Sequence, residues 1–158
     1  MPDKPISKES AEDGFMDFTH IDEILREKGV YVGGVKGDSM MPLLREGIDR
    51  VVVEVPKQKP KKYDVALYKR GERYVMHRIV KVCKNDGYVI RGDNRINNER
   101  DITTDRIIGV MTGFLRGDKL IEVTDEKYKE YVKKIVRQYY PRKIRFIYLR
   151  VLEKLHLR

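Results

Sequence analysis

Cysteine is nearly absent from this chain. Cys83 is the one cysteine among 158 residues, which excludes an internal disulfide. One thiol is also too few for a zinc site built on cysteine pairs. We therefore expect a protein of a reducing compartment that needs no metal and no cofactor.

Long apolar runs are missing as well. The first twenty residues carry acids throughout, so they fit neither a secretory signal nor a membrane span. No later stretch approaches the roughly 20 apolar residues that a transmembrane helix requires. Proline is scarce, at six residues, and 41% of the residues are hydrophobic, so the chain can bury a core. These features predict one compact, soluble domain with appendages, located in the cytoplasm.

Basic charge is concentrated at one end. The formal net charge is +9, but residues 126–158 contain eleven Lys or Arg against three Glu, a net +8. The preceding 125 residues carry only +1. A basic balance confined to a tail points to a local binding surface and not to a basic fold.

Three parts follow from the pattern along the chain. Residues 1–29 form an arm with a short helix between Asp17 and Gly29, which Thr19 or Asp17 can cap and Gly29 ends. Residues 30–125 are predicted to be a β domain. Residues 126–158 are predicted to be a basic helical tail.

The β domain is indicated by short β-branched runs between turn residues. These runs read VYVGGVK, RVVVEV, DVALYKR, RYVMHRIVKV, GYVIRG, IIGVMTGFL and KLIEV. In RYVMHRIVKV the apolar residues do not alternate strictly. We therefore expect a bulge there, or a strand buried on both faces.

The tail has helical periodicity on both sides of Pro141. Because proline removes a helical hydrogen bond, it is expected to divide the tail into two basic amphipathic helices. The second helix has a shared apolar face, formed by Ile144, Ile147, Tyr148, Val151, Leu152 and Leu155.

The most specific motif is Gly-Asp-Ser-Met-Met-Pro, from Gly37 to Pro42. A serine in a tight turn after a strand can hold its hydroxyl clear of the sheet, with backbone N–H groups aimed at one point. A nucleophile and its oxyanion hole both require this arrangement. Ser39 is thus a candidate nucleophile, and Gly37, Met40 and Pro42 are the candidate substrate and oxyanion neighbourhood. Taken alone, the tripeptide also fits an ordinary turn.

The order of several such motifs resembles a known superfamily. GDSMMPLLREG is followed by a strand, KYDVALY, HRIVKV, GDNR and DRIIGV, over roughly residues 30–115. This order resembles the signal peptidases and the SOS-repressor (LexA-like) autopeptidases. The resemblance implies a curled, mainly antiparallel β fold, with Ser39 as nucleophile and His77 at the position of the general base.

Histidine at this position departs from the bacterial signal peptidases and SOS repressors, which have lysine. In this respect the chain looks like the endoplasmic-reticulum, archaeal and sporulation-type signal peptidases. A lysine with a pKa of about 10.4 must be desolvated to act as a base, whereas histidine at about 6.5 is already mostly neutral at pH 7. A lone histidine in a strand also has a plain structural interpretation.

A carboxylate that fixes the histidine tautomer is expected in GDNRINNERDITTDRIIG. Asp93 matches the strongest residue of its motif in the relatives. Asp101 is the residue predicted to orient His77, and Asp105 stays open as its alternative. The structural alternative is that Asp93 caps its own turn and the other two are solvated loop acids.

Departures from the relatives narrow the expected activity. The chain shows no membrane helix for secretory cleavage, and residues 1–29 are too short for a DNA-binding helix-turn-helix module. The Ala-Gly bond of self-cleaving repressors is absent, since neither Ala11 nor Ala66 precedes glycine. The expected protein is a soluble serine endopeptidase that cleaves a peptide or leader segment of another protein.

Other functions remain open from the sequence. One is an inactive β domain that binds an extended peptide, and another, less favoured, is nucleic-acid binding through the tail. The tail itself has three candidate partners: its own β domain, an anionic membrane surface, or an acidic protein.

Overall fold

The computed structural model describes residues 20–155. In this part of the chain, α1 spans Ile21–Lys28 and buries Ile21 and Leu25. It ends at Gly29, whose φ of 73° is left-handed, as the sequence predicted. The predicted caps Asp17 and Thr19 lie outside the described residues.

An antiparallel sheet of eight strands follows α1. Its strands are β1 (Val30–Gly34), β2 (Asp49–Glu54), β3 (Val65–Arg70), β4 (Arg73–Val82), β5 (Gly87–Arg91), β6 (Glu99–Thr103), β7 (Ile107–Arg116) and β8 (Lys119–Glu122). The spatial order is β1-β2-β7-β3-β4-β5-β6, with β8 paired to β7. The mainly β, antiparallel fold predicted from the sequence is confirmed.

Register shifts interrupt four of the strand pairs. The one between β4 and β5, at Ile79 and Lys81, is the irregularity expected in RYVMHRIVKV. In the same strand His77, Arg78 and Ile79 are all buried, so both faces of β4 are covered there. Because both faces are covered, Arg78 lies in the interior although it is charged.

Strand β6 was not predicted. Its sequence, ERDIT, has one apolar residue, Ile102, which is the one residue of the strand that is buried. Backbone pairing of Tyr88 with Ile102 and of Ile90 with Glu99 holds this charged segment at the edge of the sheet. Strand formation therefore depends here on a neighbouring strand and not on local hydrophobicity.

The tail forms one helix, α2 (Glu126–Lys154), so the prediction of two helices was wrong. Pro141 lies inside it and is exposed to solvent. Residues on both sides of the proline are fastened to the same loop of the β domain. The Tyr139 hydroxyl donates to the carbonyl of Ile96 at 3.1 Å, and Arg142 donates to the carbonyl of Asp93 at 2.9 Å. These contacts keep the helix axis continuous where one backbone hydrogen bond is lost.

None of the helices in residues 20–155 has both the length and the hydropathy needed to cross a membrane. The first half of α2 instead packs on the sheet through Tyr128, Ile135 and Tyr139, all of which are buried.

Candidate active site

Ser39 lies in a turn built by the residues around it. Gly37 adopts a φ of 80°, and its N–H donates to the Glu46 carboxylate at 3.0 Å. The N–H of Met41 donates to the carbonyl of Asp38 at 3.1 Å. Met40 is 5% exposed and anchors the turn in the core, whereas Pro42 is exposed. In this structure the N–H of Gly37 is therefore engaged by Glu46.

The loop after β5 holds the serine turn from the other side. Asn94 donates its backbone N–H to the carbonyl of Ser39 at 2.8 Å and its side-chain amide to the carbonyl of Asp38 at 3.2 Å. Arg95 forms a 2.6 Å ion pair with the Asp38 carboxylate. Three contacts thus fix two consecutive residues of the turn, including the proposed nucleophile's own backbone.

Gly92 sits between the serine turn and the ring of His77. A Cβ on Gly92 would lie 2.6 Å from the carbonyl oxygen of Ser39 and 3.2 Å from Cδ2 of His77. Real Cβ atoms do not approach backbone oxygen so closely, so only glycine fits at this position. The structure therefore brings Ser39 and His77 together around one residue without a side chain.

His77 is held by a carboxylate that the sequence did not reveal. Its Nδ1 lies 2.9 Å from Oε1 of Glu99 and 3.3 Å from the hydroxyl of Tyr68. The Tyr68 hydroxyl donates to the other oxygen of Glu99 at 2.8 Å, and Arg70 forms an ion pair with the same carboxylate. A carboxylate facing Nδ1 places the proton on that nitrogen and leaves the Nε2 lone pair free to accept one.

Burial and neighbouring hydrogen bonds determine the charge states of His77 and Glu99. Burial lowers the pKa of His77 below its ordinary value of 6.5, while the Glu99 carboxylate opposes that shift. Burial alone would raise the pKa of Glu99, but hydrogen bonds from Tyr68 and Arg70 outweigh it and lower the pKa below 4.5. At neutral pH the histidine is therefore a neutral base beside a charged carboxylate.

The structure does not place Asp101 or Asp105 at His77. Residues 99 and 101 would share a face in a regular strand. Asp101, however, has a left-handed φ of 61°, and the β5–β6 register shifts beside it, so its side chain is exposed. Asp105 is exposed in a 3-10 turn, Thr104–Arg106. Within residues 20–155, Glu99 is the carboxylate that contacts His77.

The carboxylate of Asp93 binds Arg78, whereas a catalytic role would require contact with His77. Its two carboxylate oxygens accept from Nε and Nη2 of Arg78 at 2.7 and 2.6 Å, and both side chains are buried. Tyr131 of α2 donates to the same carboxylate at 2.9 Å. Burial would lower the pKa of Arg78, but its bonds to Asp93 raise it, so the guanidinium stays charged. Asp93 therefore fastens the loop after β5 to β4 and α2.

Ser39 and His77 both line one open cleft of about 1140 Å³. Beyond them the cleft wall is mostly apolar, with Met40, Leu44, Val51, Leu67 and Met76 among its residues. Its rim carries basic side chains, including Arg73 and Arg95. A serine turn, a buried histidine and a carboxylate at one cleft are the parts that serine hydrolases use.

The comparison with known protein families also points to the serine hydrolases. The family model described as Peptidase S24-like matches residues 5–112, so the chain belongs to the Peptidase S24-like family. This confirms the resemblance to the signal-peptidase and SOS-repressor superfamily and indicates a serine-peptidase-like protein. No curated protein matches the chain.

Sequence reasoning missed Glu99 and Gly92. Glu99 was overlooked because its strand reads as a charged loop, and the single cue to that strand was Ile102 between polar residues. Gly92 begins the GDNR motif and was read only as a turn residue. Its role depends on two atoms that are distant in sequence, which no local pattern encodes.

Proposed function

We propose that the protein is a serine endopeptidase in which Ser39 is the nucleophile, His77 is the general base and Glu99 orients the histidine. The observation that carries this proposal is the ring of His77, which is fixed through Nδ1 by Glu99 and adjoins Gly92 beside Ser39. A neutral imidazole that is oriented by a carboxylate and lies in a cleft next to a serine turn has the properties that a general base requires.

The proposed reaction has two halves. Nε2 of His77 removes the hydroxyl proton of Ser39 while the oxygen bonds to the substrate carbonyl carbon. The peptide C–N bond then breaks, and His77 returns the proton to the leaving amine. Water, deprotonated by the same nitrogen, attacks the acyl carbon, the bond from that carbon to the Ser39 oxygen breaks, and His77 returns the proton to Ser39. The imidazolium that forms in each half is stabilised by the Glu99 carboxylate.

The oxyanion needs a donor in the serine turn. No hydrogen bond within residues 20–155 uses the backbone N–H of Ser39, whereas those of Gly37 and Met41 are both occupied. The N–H groups of Asp38 and Met40 likewise donate no hydrogen bond within residues 20–155, and we assign the oxyanion to the N–H of Ser39 because the nucleophile's own amide has this role in serine proteases. Removal of one such donor typically costs about 100- to 1000-fold in rate.

The edges of the cleft favour an extended peptide as substrate. Among the residues that the structure describes, β1 pairs with β2 alone and β4 pairs with β5 from Arg78 onward, so residues 73–77 have one edge without a described partner strand. Residues of both strands line the cleft. An extended chain can add its backbone to a free strand edge while alternate side chains enter the wall. The apolar wall predicts an apolar side chain next to the cleaved bond.

With no Ala-Gly bond for self-cleavage present, we propose that the substrate is another chain, such as a leader segment.

A fluorophosphonate probe tests the nucleophile without knowledge of the substrate. The chain has only three serines, Ser7, Ser10 and Ser39, so the site of labelling can be assigned by peptide mass. We expect labelling on Ser39 that is lost in Ser39→Ala and in His77→Ala and unchanged in the matched control Ser10→Ala. The double variant should resemble either single variant, because nucleophile and base act as one unit.

The same experiment can refute the proposal. Persistent labelling of Ser39→Ala would show a different nucleophile. A folded wild-type protein that no probe labels would favour an inactive, peptide-binding β domain.

A further inference from the structure

The apolar face of α2 changes sides at Pro141. In the first half of the helix, the side that packs on the sheet carries Tyr128, Ile135 and Tyr139, and Arg142, just after Pro141, continues this side where it donates to the carbonyl of Asp93. The shared apolar face predicted for the second half begins at Ile144, two positions after Arg142. Two positions turn the direction of a side chain by about 200° around an α-helix. The distal apolar face therefore points away from the sheet.

Exposure agrees with this geometry. Phe146 lies on the other side of the helix, and the large apolar side chains of the distal face are 47–67% exposed at four positions, which are Ile144, Ile147, Tyr148 and Val151. Leu155 is 58% exposed. So many exposed apolar groups on about 20 Å of helix form a contiguous patch of the kind that marks an interaction site. The sheet cannot cover this patch while the helix is continuous.

The same side of the first half of α2 carries Lys129, Lys133 and Arg137 against two acids, Glu126 and Glu130, of which Glu126 pairs with Lys129 at 2.8 Å. Lys129, Lys133, Arg137 and Tyr140 are exposed and follow one another at helical spacing toward Ile144. We define the outward face as these residues together with the distal apolar set: Lys129, Lys133, Arg137, Tyr140, Ile144, Ile147, Tyr148, Val151 and Leu155. On the distal half, Arg145 and Lys154 lie at the two borders of the apolar arc.

We propose that the outward face of α2 docks in the plane of an anionic lipid bilayer. Its apolar end would enter the boundary between headgroups and acyl chains, and its basic end would lie against lipid phosphates. The charge of the tail favours a lipid surface as the partner and disfavours a second copy of the chain. Residues 126–158 carry a net charge of +8, so two such helices packed together would bring like charges into contact. An anionic surface relieves that repulsion.

The peptidase site is not needed for this docking. The inference stands on the exposure, phase and charge of α2, and a Ser39→Ala protein should bind lipid as the wild type does. Failure of the proposed catalysis and failure of docking are therefore separate results.

Vesicle co-sedimentation tests the proposal. The whole chain should pellet with vesicles that contain phosphatidylserine and remain in the supernatant with pure phosphatidylcholine, and high salt should release it. Lys133→Gln with Arg137→Gln should weaken binding about 30-fold, since each basic group near the surface contributes about fivefold. The matched control is Lys57→Gln with Lys84→Gln, two exposed lysines of the β domain.

The apolar end is tested in the same way. Ile147→Gln with Val151→Gln should weaken binding by at least about 100-fold. The control Ile48→Gln with Val82→Gln changes residues of similar exposure elsewhere: 55% and 38%, against 51% and 47%. Because all four side chains are exposed, far-UV circular dichroism should show every variant folded.

Fluorescence reports insertion directly, because the chain has no tryptophan. The emission of the tryptophan in Ile147→Trp should shift to shorter wavelength with anionic vesicles, and that in Ile48→Trp should not.

The proposal fails if the wild type stays in the supernatant with anionic vesicles, or if it pellets equally with neutral ones. It also fails if Ile147→Gln with Val151→Gln binds as the wild type does. A lipid-free mass of twice 18.7 kDa that this variant abolishes would assign the face to a second copy. Loss of lipid binding in the presence of equimolar duplex DNA would assign it to nucleic acid.

Discussion

Replacement of Glu99 by glutamine separates the carboxylate that the structure places at His77 from the one that the sequence favoured. Glu99→Gln keeps the size of the side chain and an acceptor for Tyr68, but it removes the negative charge at Nδ1 of His77. The matched variant is Asp101→Asn, which makes the same charge change two residues along β6, at an exposed side chain.

The expected magnitude follows from the bond that is lost. A hydrogen bond between an imidazolium and a carboxylate contributes about 1.5–3 kcal/mol, and each 1.36 kcal/mol is tenfold in rate. That range corresponds to about 10- to 150-fold. The glutamine amide can also donate toward Nδ1, which favours the unreactive tautomer of His77. We therefore expect Glu99→Gln to react about 100-fold more slowly, and Asp101→Asn to react within about twofold of wild type.

The assay is the second-order rate of fluorophosphonate labelling at Ser39, measured at pH 7.5 with thermal unfolding as a check on folding. A Glu99→Gln protein that labels at the wild-type rate would refute the assignment of Glu99. Slower labelling of Asp101→Asn would refute it in another way, since the orienting carboxylate would then be the one predicted from the sequence.

Two further predictions concern pH and stability. Burial favours neutral His77, so labelling should rise with pH through a midpoint below 6.5 and then level off. In Glu99→Gln the midpoint should move lower still, because Glu99 raises this pKa, and a rate that is flat from pH 4 to 8 would contradict a histidine base. Arg78→Ala should lower the free energy of unfolding by about 3–5 kcal/mol, since it leaves the buried Asp93 carboxylate without its cation. Chemical denaturation checks this against Arg73→Ala, an exposed position in the same strand, where a loss as large would show that the buried ion pair is not the cause.

Much of the β domain could be predicted because local composition and tertiary position agree there. The run RYVMHRIVKV coincides with β4, and its broken alternation marked a real register shift. β6 shows the opposite case. Its sequence carries three charges in five residues, so nothing local distinguishes it from a solvated loop.

The candidate site likewise contains residues that local motifs reveal and residues that depend on tertiary contacts. Ser39 and His77 belong to motifs whose order along the chain is informative, so both were found. The partner of His77 depends on how β6 pairs with β5 and on the left-handed backbone of Asp101. Proline likewise removes a helical hydrogen bond wherever it occurs, so a break in the tail was expected. The contacts of Tyr139 and Arg142 that keep α2 continuous are made with a loop more than 40 residues earlier in the chain.

The link between α2 and the serine turn has a consequence for the order of events during synthesis. Ser39 emerges from the ribosome before Asn94, which holds its carbonyl and is made 55 residues later. Arg142, which holds the carbonyl of Asp93 next to Asn94, comes later again. A nascent chain therefore carries the proposed nucleophile long before it carries the residues that fix its turn. The proposed proteolytic activity would therefore be withheld until α2 had folded onto the sheet.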